Sequence, residues 1–392
     1  MNREKDIRTI AFVHGEFPCG GAERVTLDVG EALCQKGFRV WVICRKFRKD
    51  LMPKDSPILV LTHRHKLKKK ACAKELIDLI RENGIEVLTY MCIDPLWLPL
   101  IKAKTGVKVV VANHGVPFWN VIGKYFQKEA LSRGKLWQRL RWKYYYVPRF
   151  ANHTYEKKYQ RGLQRIFANI DAYTVLCDAY GEQIVNALSL PEVEARKIRV
   201  IPNFQEPNET PVLEKERVVL FVGRLTYADK RVDRLLRIWS HVEAQGEGWR
   251  LLIVGDGEEL PRLQALAREL ALRHVSFEGR QHPQAYYDRA AILCLTSTME
   301  GWGLVLTEAQ TNGVVPIAFN CSAGVEYILA PSGMNGILVE PFDEEAYATQ
   351  LLRLMQDEGL RSGMQHNVLQ RQYPKSEVCR RYIELYTELL ET

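Results

Sequence analysis

Short, unbroken apolar runs alternate with amphipathic stretches along nearly the whole chain. The first run is TIAFVH, Thr9 to His14, followed by a glycine-containing turn, a helical pattern over Ala22–Lys36 and a second apolar run at Val40–Cys44. The order recurs with a helix over Lys74–Asn83, a strand at Glu86–Tyr90, a helix near Pro95–Lys104 and a strand at Lys108–Ala112. Continuously apolar strands belong to sheets covered on both faces, and their alternation with helices predicts parallel βαβ units. Ala172–Leu176 and the strand-like RKIRVIPN close this half.

A polar, acidic stretch with several prolines, residues 205–216, reads as a linker. Beyond it the alternation restarts: RVVLFVG, a helix over Val232–Glu243, WRLLIVGDG, a helix over Glu258–Ala271, HVSFEG, a helix over His282–Ala290, ILCLTS, a helix beginning near Leu306, and VVPIAF. The expected fold class is α/β, with two doubly wound Rossmann-like domains, residues 1–204 and 217–392, facing one another across a cleft. Each carries its ligand crevice at the carboxyl ends of its strands. The amphipathic final helix, about 376–390, is expected to pack back on the N-terminal domain.

Composition narrows this picture little, but charge changes it. With 46% apolar and 26% charged residues the chain has the material for two full cores. The opening MNREKDIRTIAFVHG has no apolar leader, and the longest apolar stretch, Val87–Ile101, is interrupted by Asp94 and two prolines. The expectation is therefore a cytoplasmic protein without a membrane span. Nine scattered cysteines lack a Cys-x-x-Cys pair, which speaks against a structural metal. Residues 1–200 hold 36 Lys and Arg against 20 Asp and Glu, a balance of +16, whereas the remainder carries −8. Such asymmetry points one half toward a polyanion or an anionic surface.

Part of that charge sits in a long basic, aromatic insertion, about 121–167, where only Glu129 and Glu156 oppose many Lys and Arg. In a helix from Leu131 onward, Leu136, Trp137, Leu140 and Tyr144 share a face rimmed by Arg133, Arg139, Arg141 and Lys143. This is the pattern of peripheral contact with an anionic membrane, with HRHKLKKK (His63–Lys70) as a second patch. The alternative is a helical hairpin packed on the N-terminal sheet. Nucleic acid is not an expected partner.

The chemistry concentrates in STMEGWGLVLTEAQTNGVVPIAF, Ser297 to Phe319. Glu300 and Glu308 flank a Gly301-Trp302-Gly303 turn that leads from a strand into a helix. If the helix begins near Gly303, the free N–H groups around Gly303, Leu304 and Val305 and the positive dipole end suit a diphosphate. Glu308, a turn further in, suits a ribose diol, and Glu300 suits sugar hydroxyls. The segment resembles the E-x7-E signature of retaining glycosyltransferases of the GT-B fold, family 4 in particular.

Further segments fit that resemblance. FVGRLTYADK (Phe221–Lys230) is similar to the family's Gly-Arg-Leu…Lys element, and the resemblance implies that Arg224 and Lys230 clamp the donor diphosphate and stabilise the leaving group. The commonest family spacing is one residue shorter, so Arg231 is a candidate partner or substitute for Lys230. VSFEGRQ resembles the loop that brackets the nucleobase, which implicates Gly279 and Arg280. FPCGGAERV matches the family's Gly-Gly-Ala-Glu loop, with Gly20 and Gly21 approaching the phosphates, and Asn113-His114-Gly115 resembles a strand-end pair that orients the donor sugar. GDG at Gly255–Gly257 is ambiguous on its own, because it lacks the G-x-G-x-x-G spacing.

The resemblance implies a metal-independent, retaining hexosyltransferase with His114, Glu300, Arg224 and Lys230 at its centre. No Asp-x-Asp motif is present, and no cofactor beyond the nucleotide-sugar substrate is expected. The donor is expected to be UDP-linked in preference to GDP-linked, and the acceptor a lipid-linked or membrane-proximal glycan in cell-surface polysaccharide or glycolipid synthesis. Two alternatives remain from the residues: a nucleotide-sugar epimerase or phosphorylase on the same fold, and a non-catalytic partner subunit.

Overall fold

The computed structural model describes residues 8–18 and 21–391. They divide into two compact units. The first comprises the described residues up to Pro117, then His153–Phe204 and those from Lys375 on; the second comprises Phe118–Asn152 and Gln205–Pro374.

In the first unit, β1 (Thr9–Phe17), β2 (Arg39–Phe47), β3 (Leu59–Thr62), β4 (Val87–Met91), β5 (Lys108–Ala112), β6 (Ala172–Val175) and β7 (Ile198–Val200) form one parallel sheet. Their order is β3-β2-β1-β4-β5-β6-β7. Strand order reverses between β1 and β4, whose register pairs Ile10 with Val87 and Val13 with Tyr90. Ile10, Phe12, Val42, Val87 and Val110 are fully buried, as continuous apolar strands covered on both faces require. The last helix, Lys375–Glu391, belongs to this unit: its Val378, Tyr382, Leu385, Tyr386 and Leu389 join the same core. An ion pair from Lys375 to Asp28 and a 3.0 Å hydrogen bond between Tyr386 Oη and Thr89 Oγ1 fasten it.

The second unit repeats the plan with β8 (Glu216–Val222), β9 (Arg250–Val254), β10 (Val275–Gly279), β11 (Ala290–Leu295), β12 (Val315–Phe319) and β13 (Ile337–Val339), all parallel. The order β10-β9-β8-β11-β12-β13 reverses between β8 and β11. The GDG segment finds its explanation here. A Cβ on Gly255 would lie 1.8 Å from the Gly223 carbonyl oxygen, and one on Gly257 would lie 2.3 Å from that of Leu225. Both glycines let the loops after β8 and β9 touch through their backbones.

The basic insertion does not behave as one piece. The helix Thr154–Phe167 stays with the first unit, burying Leu163, Ile166 and Phe167, whereas Phe118–Asn152 clusters with the second unit and not with the N-terminal sheet of the hairpin alternative. Its helix is also interrupted: a 3₁₀ turn at Ala130–Arg133, a short α-helix at Leu136–Arg141, a π-helical turn at Trp142–Tyr146, then Val147–Ala151. Gly134 and Pro148 punctuate it, as helix-breaking residues do. The segment carries its own aromatic cluster, with Tyr125 packed edge-on against Trp142 and Phe150 at 5.5 and 5.0 Å. Charge complements the placement: 8 Lys and Arg against 1 Glu in 118–152 offset 16 against 23 acidic residues in 205–374.

Candidate active site

In an open α/β sheet, ligands bind outside the carboxyl ends of the strands where the strand order reverses. In the second unit that place lies after β8 and β11, and both loops carry the charged residues singled out from the sequence. Lys230 Nζ meets Glu300 Oε1 at 2.5 Å, and the two side chains are only 15% and 12% exposed. Ser297 Oγ donates to the same carboxylate oxygen at 2.8 Å, and Thr296 Oγ1 donates to the Arg231 carbonyl at 3.2 Å, stitching the two loops together. Arg224 is by contrast 75% exposed, with one ion pair to Asp229 at 3.3 Å. One cation is thus locked and shielded, and the other is held loosely at the rim. Asp229 organises the loop between them, taking hydrogen bonds from both Thr226 and Arg224.

The helix expected after Gly-Trp-Gly is present as Leu304–Thr311, with Gly303 as its N-cap at φ 80°. That left-handed conformation is one a glycine adopts at little cost. Leu304 and Val305 are half-buried in its first turn. Trp302 is 2% exposed and packs against Tyr327 and Tyr373, so its side chain serves the core, and any ligand contact there falls to main chain. Glu308 Oε2 accepts from the hydroxyl of the buried Tyr287 at 2.7 Å, which leaves its second oxygen available to a ligand. Burial and the adjoining carboxylate hold the Tyr287 hydroxyl well above its ordinary pKa, so it stays protonated and donates.

Arg231 takes a different part from the clamp. It sits at φ 49° ahead of the helix Val232–Val242, its guanidinium paired with both oxygens of Asp233 at 2.9 and 3.0 Å and lying 4.3 Å from the Tyr227 ring centre. Gly279 ends β10 at φ 68° and accepts from the Gly255 amide at 2.8 Å, while Arg280 is exposed.

The first unit's reversal point has another character. His114 follows β5; its Nδ1 lies 2.8 Å from Asn203 Oδ1 and its Nε2 lies 3.4 Å from Tyr382 Oη. Burial pushes its pKa below the ordinary 6.5, so the ring is neutral at pH 7. Within β1, the fully buried His14 bonds Thr26 at 2.9 Å and lies 3.5 Å from Glu23. Burial raises the Glu23 carboxyl, but its hydrogen bonds to His14 and to its own backbone outweigh that and hold it below the usual range. Gly21 is the exposed first residue of the helix Gly21–Gln35; Gly20 lies outside the described residues.

Two family models match the chain: "Glycosyltransferase Family 4" over residues 19–209 and "Glycosyl transferases group 1" over 203–371. The chain is 37% identical to the amylovoran biosynthesis glycosyltransferase AmsD of Erwinia amylovora, over 38% of this chain and 41% of that protein, so the match spans less than half of that relative. It is 25% identical, over 97% of this chain and 98% of the other, to a Campylobacter jejuni N-acetylgalactosaminyltransferase named for a GalNAc-GalNAc-diNAcBac-PP-undecaprenol acceptor. Among solved structures, Anabaena HepE in complex with UDP and glucose superposes with a TM-score of 0.71 at 15% identity, over 97% of this chain and all of that one. The fold is that of the GT-B glycosyltransferases.

In this glycosyltransferase fold, the residues named from the sequence fall into separate groups. Arg224, Lys230, Glu300 and the start of the helix at Gly303 gather at one strand-order reversal, with Glu308 a turn inside that helix. His114 and Gly21 belong to the first unit, and Arg231 and Trp302 turn their side chains to structural partners. The sequence reading passes over Tyr287, Asp229, Asn203, Tyr382 and the His14–Glu23 pair. Only the last leaves a sequence signal, a histidine closing the first apolar run before the Gly-Gly-Ala-Glu loop.

Proposed function

We propose that this chain is a retaining, metal-independent glycosyltransferase that moves a hexose or N-acetylhexosamine from a UDP-sugar to a lipid-linked or membrane-proximal glycan in cell-surface polysaccharide or glycolipid synthesis. The observation that carries the reading is the shielded Lys230–Glu300 pair beside Arg224 at the reversal between β8 and β11. A departing nucleotide diphosphate gains negative charge as the glycosidic bond breaks. Lys230, Arg224 and the N–H groups after Gly303 are preorganised to receive it without a metal. Glu300 then meets sugar hydroxyls and the free oxygen of Glu308 a ribose diol, while His114, as a neutral imidazole, orients the reacting sugar. Retention follows if the leaving phosphate itself takes the acceptor proton on the face it departs from.

The names of the relatives support the acceptor class: one builds amylovoran and another acts on an undecaprenol-linked glycan. UDP is favoured by the UDP complex of a structural neighbour. Among the described residues no helix is long and apolar enough to cross a membrane. Contact with the acceptor's membrane is assigned instead to the insertion, where Leu136, Trp137 and Tyr144 are 71%, 57% and 68% exposed among basic residues. The donor is tested by thermal shift against UDP, GDP and ADP. UDP is expected to raise the melting temperature, since a ligand bound only by the native state stabilises it; a larger shift with GDP or ADP overturns the donor assignment. Cosedimentation with anionic vesicles, weakening in salt, is expected for the insertion, and equal recovery with neutral vesicles refutes it.

A further inference from the structure

The second unit contains a cavity of about 770 Å³ that Arg224 lines and that Lys230, Glu300 and Glu308 do not. One wall is the helix Trp119–Glu129, which contributes Trp119, Asn120 and Gly123; the other is formed by Arg224, Asp229 and Glu258. Met299 lines it as well. Asp229 and Met299 each immediately precede one member of the Lys230–Glu300 pair, so the cavity adjoins the proposed transfer centre along both loops.

We infer that this cavity binds the acceptor's saccharide, an inference that rests on the glycosyltransferase reading. Its volume falls within the range of about 300–1,000 Å³ usual for small-molecule sites. A pyranose presents a flat face of C–H bonds and a rim of hydroxyls, each able both to donate and to accept. The first calls for an aromatic surface and the second for a mixture of amide, carboxylate and cationic groups. The lining supplies both. Trp119 is 50% exposed, and Gly123, one helical turn on, carries no side chain; a Cβ there would touch the indole at 3.4–3.6 Å. The glycine therefore keeps the space beside the ring open. Asn120, Asp229 and Glu258 supply acceptors around it. Cations and carboxylates alternate in the lining, Lys124, Arg133, Arg224 and Arg262 with Asp229, Glu258 and Glu259, a mixture that suits hydroxyls and not an acyl chain.

The walls are also fixed to each other. Arg133 of the insertion lies 3.6 Å from the ring centre of Tyr227 on the clamp loop, a cation–π contact, and Arg231 lies 4.3 Å from the same centre. The segment that brings Trp119 is thereby tied to the loop that brings Arg224.

Saturation-transfer NMR on the full chain tests this, with the methyl α-glycosides of galactose, glucose and N-acetylgalactosamine as probes in the presence of UDP. At least one glycoside is expected to receive saturation through its ring C–H protons with UDP bound. Trp119→Ala and Gly123→Leu are each expected to lose that signal, with saturation transfer to UDP unchanged as the control for folding. Binding of no glycoside to the wild-type chain, survival of the signal in both variants, or displacement of the glycoside by UDP overturns the assignment. Loss of the UDP signal alone in the wild-type chain refutes the donor reading instead.

Discussion

The two strand-order reversals share a topology and differ in electrostatics. After β8 and β11 the groups are ionic: a shielded Lys230–Glu300 pair, a loosely held Arg224, and a helix start capped by a glycine at positive φ. In β1 and after β5 the groups are imidazoles engaged in hydrogen bonds, His14 to Thr26 and His114 to Asn203 and Tyr382, with the Glu23 carboxylate beside His14. One fold thus supports two tasks, with fixed charge suited to a leaving diphosphate and a neutral, oriented ring suited to a sugar hydroxyl. The comparison also shows how an acidic C-terminal sequence is compatible with the proposed diphosphate. Its cations are few and aimed, and the basic segment 118–152 cancels its background charge.

The comparison breaks most visibly at Lys230. Under the proposed function, Lys230→Ala removes the cation that receives the leaving group, and a loss of about 10²–10³-fold in turnover is expected, the scale of deleting one preorganised transition-state contact. It also strands Glu300, 12% exposed, without its counter-charge, so a stability loss of about 3–5 kcal/mol is expected in urea titration. The double variant Lys230→Met with Glu300→Met separates the two effects, because replacing both members of a shielded pair by apolar groups recovers stability without restoring turnover. A double variant as unstable as the single one would show that the pair is not what holds these loops together.

Much of the ionic reversal was legible in the sequence, and little of the neutral one. Glu300, Glu308, Arg224 and Lys230 stand in short local motifs whose spacing implies a turn and a helix start, and the helix begins within a residue of Gly303. The His114 network is assembled from β5, the residues after β7 and the final helix, 89 and 268 positions away, and no local periodicity reports such pairings. Tyr287 is similar: a tyrosine in the short helix Gln284–Arg289 gives no sign that its hydroxyl meets a carboxylate 21 residues on. The short elements escaped for another reason. The edge strand Leu59–Thr62 and the strand Ile337–Val339 span 4 and 3 residues, too few to display a period, and their place follows from neighbours across the sheet. The placement of Phe118–Asn152 was equally hidden, since its aromatic and cationic side chains fit an N-terminal sheet or a clamp loop with equal local logic.

A smaller effect is expected at Tyr287. Tyr287→Phe keeps the ring and its packing but removes the hydroxyl that donates to Glu308 at 2.7 Å. Freed of that bond, the carboxylate loses the fixed orientation that the proposed ribose contact uses. A hydrogen bond to a charged group contributes about 1.5–3 kcal/mol, so affinity for UDP measured by calorimetry is expected to fall by about tenfold or more, with kcat at saturating donor little changed. Unchanged affinity would remove Glu308 from the ribose site and leave the ionic reversal defined by Lys230, Glu300 and Arg224 alone.

The smallest effect sharpens the neutral side. Because burial depresses the His114 pKa below 6.5, the unfolded chain binds a proton on this residue before the native one does as pH falls. The native state then binds fewer protons, so stability declines from pH 6.5 downward until the folded value is reached. For one site the slope is at most about 1.4 kcal/mol per pH unit. His63, also depressed by burial, contributes in the same direction, so the measurement is the difference between wild type and His114→Gln in urea midpoints from about pH 7.5 to about 5.5. The variant is expected to show the shallower decline. Asn203→Leu bears on the cause: its carboxamide oxygen favours the protonated ring, so removing it lowers the His114 pKa further and extends the sloping region to more acid pH. Equal slopes in wild type and His114→Gln would mean that the ring already titrates as an ordinary histidine. The His114 ring would then carry charge near neutrality, and the contrast between an aimed cation in one unit and a neutral imidazole in the other would fail.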